Sequence, residues 1–197
     1  MFRKSTLLVA ALALLLVAPQ AHAAAKGDVS IGVGGGALIP LSEFKDSSKL
    51  GFLGGLDVDY MVTEAVSVGV DGMYSKNNLK DDVATALGID KGSSTFFTGG
   101  GHLKYMFPMA SESKIMPYVT AGGGVYHIKA EATASGVTAS ASENKFGGHG
   151  GAGVSFKAGS SLNVDVQGLF HVVSTTGTST KFVTFRGGVS FPLSSGK

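Results

Sequence analysis

The chain has 197 residues, of which 30 are glycine and 44% are hydrophobic, a size that suits one domain. It has no cysteine, which excludes a disulfide framework, a thiolate metal site and a lipid-modified N-terminal cysteine. A formal charge of +2 with no basic run gives no indication of a nucleic-acid-binding surface.

The N-terminus predicts a secretory signal peptide over residues 1–23. Arg3 and Lys4 precede an apolar run from Leu7 to Val17, and the small-residue site Ala21-His22-Ala23 follows. The run is too short to span a bilayer as a helix, and no later stretch is as long and apolar as a spanning helix needs. We therefore expect an exported domain over residues 24–197, in which 14 basic residues balance 14 acidic ones.

Strict alternation of apolar residues with polar residues or glycine returns eight times along this domain. A period of two predicts strands, and runs of this length suit tilted strands that cross an outer membrane. The predicted strands cover residues 29–39, 55–62, 66–74, 97–107, 119–125, 149–157, 162–172 and 183–191.

The connections between these strands alternate in length. Short ones at 63–64, 108–114 and 158–160 are interleaved with longer ones at 40–50, 77–93, 129–143 and 174–180. Short turns on one side and long loops on the other are typical of an up-and-down transmembrane barrel with periplasmic turns.

The second long loop also predicts a short helix. Leu79, Val83 and Leu87 have helical spacing, Asn78 is a candidate N-cap, and Gly88 is a candidate stop.

A secreted or periplasmic β-sandwich would alternate as well, but its outer face would be rich in lysine, glutamate, threonine and serine. Here that face is mostly glycine with isolated charges, which suits the crowded inside of a narrow eight-stranded barrel. Aromatic residues near the strand ends predict membrane-interface girdles: Phe52, Tyr60, Tyr74, Phe107, Tyr118 and Phe191, with Tyr126 and His127 near a loop end.

Four glycine-spaced stretches carry a resemblance to a known family: VGGGALIPLSEF, PYVTAGGGVYHI, FGGHGGAGVSF and FRGGVSF. They resemble the strands of small OmpA/OmpX-type outer-membrane barrels, the porin-like outer membrane protein beta-barrel domain group. The resemblance covers the mature chain and implies an all-β, eight-stranded antiparallel barrel in the outer membrane of a Gram-negative envelope. It identifies a fold rather than an activity.

Two stretches match the dinucleotide-binding pattern G-x-G-x-x-G/A: GHGGAG at 148–153 and GVGGGA at 32–37. That mechanism needs a helix N-terminus directly after the glycines, to hold the pyrophosphate. Pro40 interrupts one stretch and alternation continues after the other, so both are interpreted as chance matches and no cofactor is expected.

Isolated charges on the inward-facing positions form the candidate site. Counting residues across the predicted turns places Asp57 opposite Asp71 and Asp165 beside Arg186. The structural interpretation is an ion-pair network that fills the lumen and fixes the strand register, and the functional one is a gate or an ion- or proton-conducting path. The predicted lumen network comprises Asp57, Asp59, Asp71, His102, Lys104, Asp165 and Arg186.

The sequence gives little support for an enzyme. His102, His149 and His171 lie on different predicted strands, and His171 and Ser174 are spaced wrongly for the His-x-Ser pair of outer-membrane lipid-A deacylases. We expect no catalytic or metal-binding residues. The expected role is envelope integrity and surface interaction through the loops, with outer-membrane lipids, lipopolysaccharide and the barrel-assembly machinery as partners. A small ion or solute channel is the alternative, and a lipid-modifying enzyme the weaker one.

Overall fold

The computed structural model describes residues 25–109, 113–159, 162–175 and 178–193. The predicted signal peptide lies outside these residues. In the described part, eight antiparallel strands form a closed barrel in chain order, and β1 pairs with β8 to complete it, which confirms the predicted fold. The strands are β1 Val29–Leu41, β2 Gly51–Met61, β3 Val66–Asn78, β4 Lys91–Met106, β5 Ile115–Ala134, β6 Val137–Lys157, β7 Asn163–Thr175 and β8 Thr178–Pro192.

The barrel has two unlike ends. The connections after β2, β4 and β6 meet at one end, here the turn end, and those after β1, β3, β5 and β7 meet at the other, here the loop end. Two short helices lie at the loop end, α1 over Ser42–Ser47 and α2 over Asp81–Ala86. Among the described residues, no helix is long and apolar enough to cross a membrane.

The helix predicted in the second long loop is α2, and Gly88 ends it with a φ of +67°, in the left-handed region that glycine tolerates. The predicted N-cap is wrong, because Asn78 still belongs to β3 and pairs with Ser93, while Lys80 precedes the helix. The structure also has the helix α1 in the first long loop, for which no secondary structure is predicted from the sequence.

The predicted loop at 129–143 is wrong, because β5 and β6 continue through it as one long hairpin. Ser135 and Gly136 form its two-residue turn with φ values of +48° and +79°, flanked by the pair Ala134 and Val137. Two central residues with positive φ match the right-handed twist of a hairpin. The connection predicted at 174–180 is also shorter than expected, because β7 and β8 pair up to Thr175 and Thr178.

The outer face of the barrel is apolar. Large side chains stand exposed there, with 61% of Val70 and 57% of Leu56 accessible, as lipid-facing positions require. Phe52, Tyr60, Tyr74 and Phe191 belong to this face as predicted. The list of interface aromatics was wrong at Tyr118 and Tyr126, which lie on inward positions of β5 and are buried.

Glycines lie on both faces of the wall, and Gly99 and Gly100 on β4 illustrate the difference. A Cβ added at Gly100 would lie 2.6 Å from the Gly123 carbonyl oxygen, whereas one at Gly99 meets nothing within 4 Å. We expect Gly100→Ala to lower the free energy of unfolding by about 1–3 kcal/mol, because the neighbouring strand must move. Gly99→Ala should leave it unchanged or raise it by about 0.4–1 kcal/mol. Urea unfolding in detergent measures both, and equal losses would contradict this explanation.

Candidate functional site

The candidate site is the polar part of the lumen. All seven residues of the predicted lumen network occupy inward positions, on β2, β3, β4, β7 and β8. The structure joins six of them by ion pairs, while Asp165 makes a separate contact.

Asp59 is the centre of the first group. Its carboxylate accepts hydrogen bonds from Lys104 Nζ at 2.5 Å, from Ser67 Oγ at 2.8 Å, and has His102 Nε2 at 3.0 Å. Lys104 Nζ also lies 5.1 Å from the centre of the Tyr118 ring, a cation–π distance. The buried carboxylate is thus surrounded by donors, which is the condition for tolerating a charge inside a narrow lumen.

His102 joins this group to Asp71. Its second nitrogen, Nδ1, lies 3.1 Å from Asp71 Oδ1, so one imidazole bridges two carboxylates. An imidazole donates from both nitrogens only in its cationic form. His149, which the predicted network did not include, lies 3.9 Å from the same Asp71 oxygen. Acidic and basic side chains therefore alternate in this group, which spans the four strands β2, β3, β4 and β6.

Asp57 and Asp71 pair across β2 and β3, as the predicted register required. Each carboxylate has its own basic partner, because Arg186 Nη2 donates to Asp57 Oδ1 while His102 faces Asp71. The glycine-rich strand β1 separates Asp57 from Arg186. A Cβ at Gly32 would lie 2.5 Å from Asp57 Oδ2, and one at Gly34 would lie 3.2 Å from Arg186 Cγ. These glycines leave the space in which the ion pair forms.

The predicted pairing of Asp165 with Arg186 is wrong. In the structure Arg186 pairs with Gln167, and Asp165 pairs with Gly188 and accepts a hydrogen bond from Ser190 Oγ at 2.7 Å. The pairs of β7 and β8 are centred midway between Thr175 and Thr178, one position later than pairing Asp165 with Arg186 assumes. A shift of one position in the centre changes each partner by two residues, which keeps every side chain on the same face. With its amide oxygen turned toward Arg186, Gln167 accepts from Nε and Nη2 at 3.1 and 3.2 Å.

Two small cavities flank this network. The larger, about 40 Å³, extends toward the loop end and is lined by His149 and His171, among others. The smaller, about 20 Å³, lies toward the turn end beside Asp165. These volumes suit about three and about one or two water molecules. Asp57, Lys104 and Arg186 line both cavities and stand between them.

Above the network, near the loop end, lies an apolar layer that the sequence analysis missed. This aromatic cluster consists of Leu38, Leu53, Phe96, Tyr126, Val173 and Phe182, with Phe44, Met73 and Ile128 packed against it. Phe44 comes from α1 and meets Phe96 and Phe182 edge-on, with ring centres 5.7 and 6.4 Å apart. One signal was available, because Phe96, Tyr126 and Phe182 interrupt the polar face at the loop-end parts of their strands.

His171 connects the aromatic cluster to the polar lumen. Its ring stacks on Phe182 with centres 4.6 Å apart, and its nitrogens lie 3.0 Å from the Tyr126 hydroxyl and 3.0 Å from Thr184 Oγ1. Both nitrogens of this buried ring thus have partners. In the described part of the chain, no three His, Asp or Glu residues are grouped to hold a metal ion. The 148–153 glycines lie within β6, where no helix follows, as expected for a chance match.

Comparisons with known proteins agree with this architecture. The family model described as "Outer membrane protein beta-barrel domain" matches residues 8–191. The fold is similar to Neisserial surface protein A, with a TM-score of 0.62 and 15% identity over 83% of this chain and 96% of that chain. It is also similar to Ail, the attachment invasion locus protein of Yersinia pestis, with a TM-score of 0.54 and 18% identity over 85% of this chain and 99% of that chain.

Another Ail structure, in complex with the heparin analogue sucrose octasulfate, gives a TM-score of 0.57 at 17% identity over 85% of this chain and 99% of that chain. At such identities the similarity shows the fold alone. A search among curated proteins found no match.

Proposed function

This chain belongs to the outer membrane protein beta-barrel domain family and lies in the outer membrane. We propose that it is a non-enzymatic barrel with an occluded lumen. Its turn end faces the periplasm and its loop end faces the cell exterior, as in bacterial barrels generally. The barrel-assembly machinery inserts it among lipopolysaccharide and other outer-membrane lipids, where it contributes to envelope integrity. Its loop end is presented to surface partners. The Ail complex with a heparin analogue supports a binding role for barrels of this shape.

The observation that carries the occlusion is the small size of the two lumen cavities, about 40 and 20 Å³. Asp57, Lys104 and Arg186 stand between them, and the aromatic cluster lies between the larger one and the loop end. Eight strands enclose an interior that side chains nearly fill. A hydrated solute would have to displace both the ion pairs and the packed rings.

A small channel is the second candidate, and the ionisable residues that line both cavities favour it. If the Asp57–Arg186 ion pair opened, the two cavities would join into one polar path of ionisable side chains. The aromatic cluster would still have to move, since its six core members are at most 5% exposed.

Planar-bilayer recordings of the purified protein separate the two candidates. We expect no steady conductance from the wild-type barrel, because the lumen is blocked at two levels. Thr98 lines the larger cavity, and Thr98→Leu would fill part of it. Steady wild-type conductance that Thr98→Leu reduces, in a variant with unchanged gel mobility before boiling, would overturn the occlusion and establish the channel.

The geometry around His171 supports a non-enzymatic role. Thr184 provides a hydroxyl within hydrogen-bond distance of an imidazole, but the other nitrogen faces the Tyr126 hydroxyl rather than a carboxylate. A nucleophile activated by a base needs a third group that orients the base and a path to substrate. This pair lies inside the barrel beneath packed rings. A modified lipid that appears in outer-membrane extracts only when the barrel is expressed, and disappears with His171→Ala, would contradict the proposal.

A further inference from the structure

At the loop end, β6 of the β5–β6 hairpin extends beyond its neighbour β7. On one side β5 pairs with β4 as far as Thr133, close to the tip of the hairpin. On the other side β6 pairs with β7 only from Gly147 onward, where Gly147 meets Val173. Within the described residues, the segment Val137–Ser142 of β6 therefore has a strand neighbour on one edge only. We call this segment the outer edge.

The outer edge has the chemistry of a strand template. In a strand, alternate backbone N–H and C=O groups point to either side, so an unpaired edge offers donors and acceptors to another strand. Its sequence VTASAS contains no charge and no proline, the features by which natural edge strands usually prevent pairing. All six residues are exposed. Nothing in the segment opposes the addition of a strand.

We propose that the outer edge pairs antiparallel with the same edge of a second copy of this chain, joining two barrels head to head. Two identical edges related by a two-fold axis form a self-complementary antiparallel pair. An antiparallel partner runs in the opposite vertical direction, so its barrel is inverted relative to the first. Two copies in one bilayer have the same orientation, whereas copies in facing membranes have opposite ones. The pairing thus links two apposed outer membranes.

The charges of the hairpin are compatible with this partner. The outer edge is uncharged, so an antiparallel register centred within it places no like charges opposite each other. The nearest charges on β6, Glu143 and Lys145, form an ion pair of 2.9 Å on their own hairpin. Both lie on the barrel side of the outer edge, just after Ser142. The proposal rests on the surface-presenting role proposed above and names the partner as a second copy.

Matched lysine substitutions test this pairing. Ala139 and Ala141 lie on the outer edge, and Ala132 and Ala130 lie directly opposite them on β5, whose outward edge β4 already covers. The double variants Ala139→Lys/Ala141→Lys and Ala130→Lys/Ala132→Lys add the same charge to the same hairpin. In the first variant the lysines of two copies meet across the two-fold axis. In the second they are one strand farther away.

Light scattering measures the clustering of proteoliposomes in which the loop ends face outward. Analytical sedimentation measures dimerisation of the purified protein in detergent. We expect wild-type vesicles to cluster, the β6 variant to weaken association about tenfold, and the β5 variant to resemble the wild type. Unchanged gel mobility before boiling confirms that both variants fold.

Four results would overturn the proposal. They are wild-type vesicles that never cluster, equal losses in both variants, a detergent dimer that does not cluster vesicles, and binding of the edge to another protein's strand without self-association. None of these results bears on the planar-bilayer recordings, so a failed pairing is distinguishable from a failed occlusion.

Discussion

Replacing Arg186 with alanine should lower the free energy of unfolding by about 3–5 kcal/mol, the usual loss when one partner of a buried ion pair is removed. Its guanidinium donates to Asp57, and the exposed fractions of the two side chains are 18% and 10%. Alanine would remove this hydrogen-bond donor, and the Asp57 carboxylate would lose its ion-pair partner inside the lumen. Urea unfolding in detergent micelles, followed by the fraction of protein with folded gel mobility, measures the loss.

Two further variants separate the ion pair from general effects of the substitution. Lys181 lies on the same strand on an outward position, and Lys181→Ala should change the free energy of unfolding by no more than about 0.5 kcal/mol. The double variant Asp57→Leu/Arg186→Met should recover most of the loss, because it leaves no unpaired charge. No recovery in the double variant, or an equal loss in the control, would contradict the explanation.

Replacing Phe182 with alanine should lower the free energy of unfolding by about 3–5 kcal/mol, the range for truncating a buried aromatic side chain. Phe182 is fully buried at the centre of the aromatic cluster. It stacks on His171 and contacts Phe96 with ring centres 5.4 Å apart, and these contacts would be replaced by a cavity. The same urea titration measures this loss.

Phe185 is the matched control for Phe182. It lies three residues farther along β8 on the opposite face, where 53% of the side chain is exposed. Lipid tails are as apolar as the ring they would replace, so Phe185→Ala should cost much less. If the two variants lost the same stability in detergent and in lipid bilayers, the aromatic cluster would not be a packed core.

Much of the fold could be predicted because a barrel strand carries its structure in its own sequence. The alternation of Leu56, Val58 and Tyr60 with Asp57 and Asp59 is enough to assign a strand and its two faces. The pairing of Asp57 with Asp71 followed as well, because the turn between their strands is short and leaves little freedom in register.

The errors arose where the local pattern is weak. Between residues 129 and 143, small and polar residues occupy both faces, so a strand that leaves the membrane looks like a loop. The Ser135-Gly136 dipeptide was the available signal for the tight turn. Asp165 was paired with the wrong residue because the exact centre of a turn decides the register of both strands.

The remaining features depend on contacts between distant parts of the chain. Phe44 enters the lumen from a six-residue helix, which is too short for a periodic signal. The Asp57–Arg186 ion pair joins β2 to β8, and the sequence places these residues 129 positions apart. Closure of the barrel brings these two residues together. The alternation pattern of a single strand contains no information about contacts between strands that are distant in the sequence.

The position of the Asp57–Arg186 ion pair has a consequence for assembly. The closing seam of the barrel is the pairing of β1 with β8, and the ion pair crosses that seam from β2. Loop-closure entropy opposes contacts between the two ends of the chain until the intervening strands are ordered. The ion pair needs β2 and β8 on either side of a paired β1, so it is a contact of the closed barrel that an open sheet lacks.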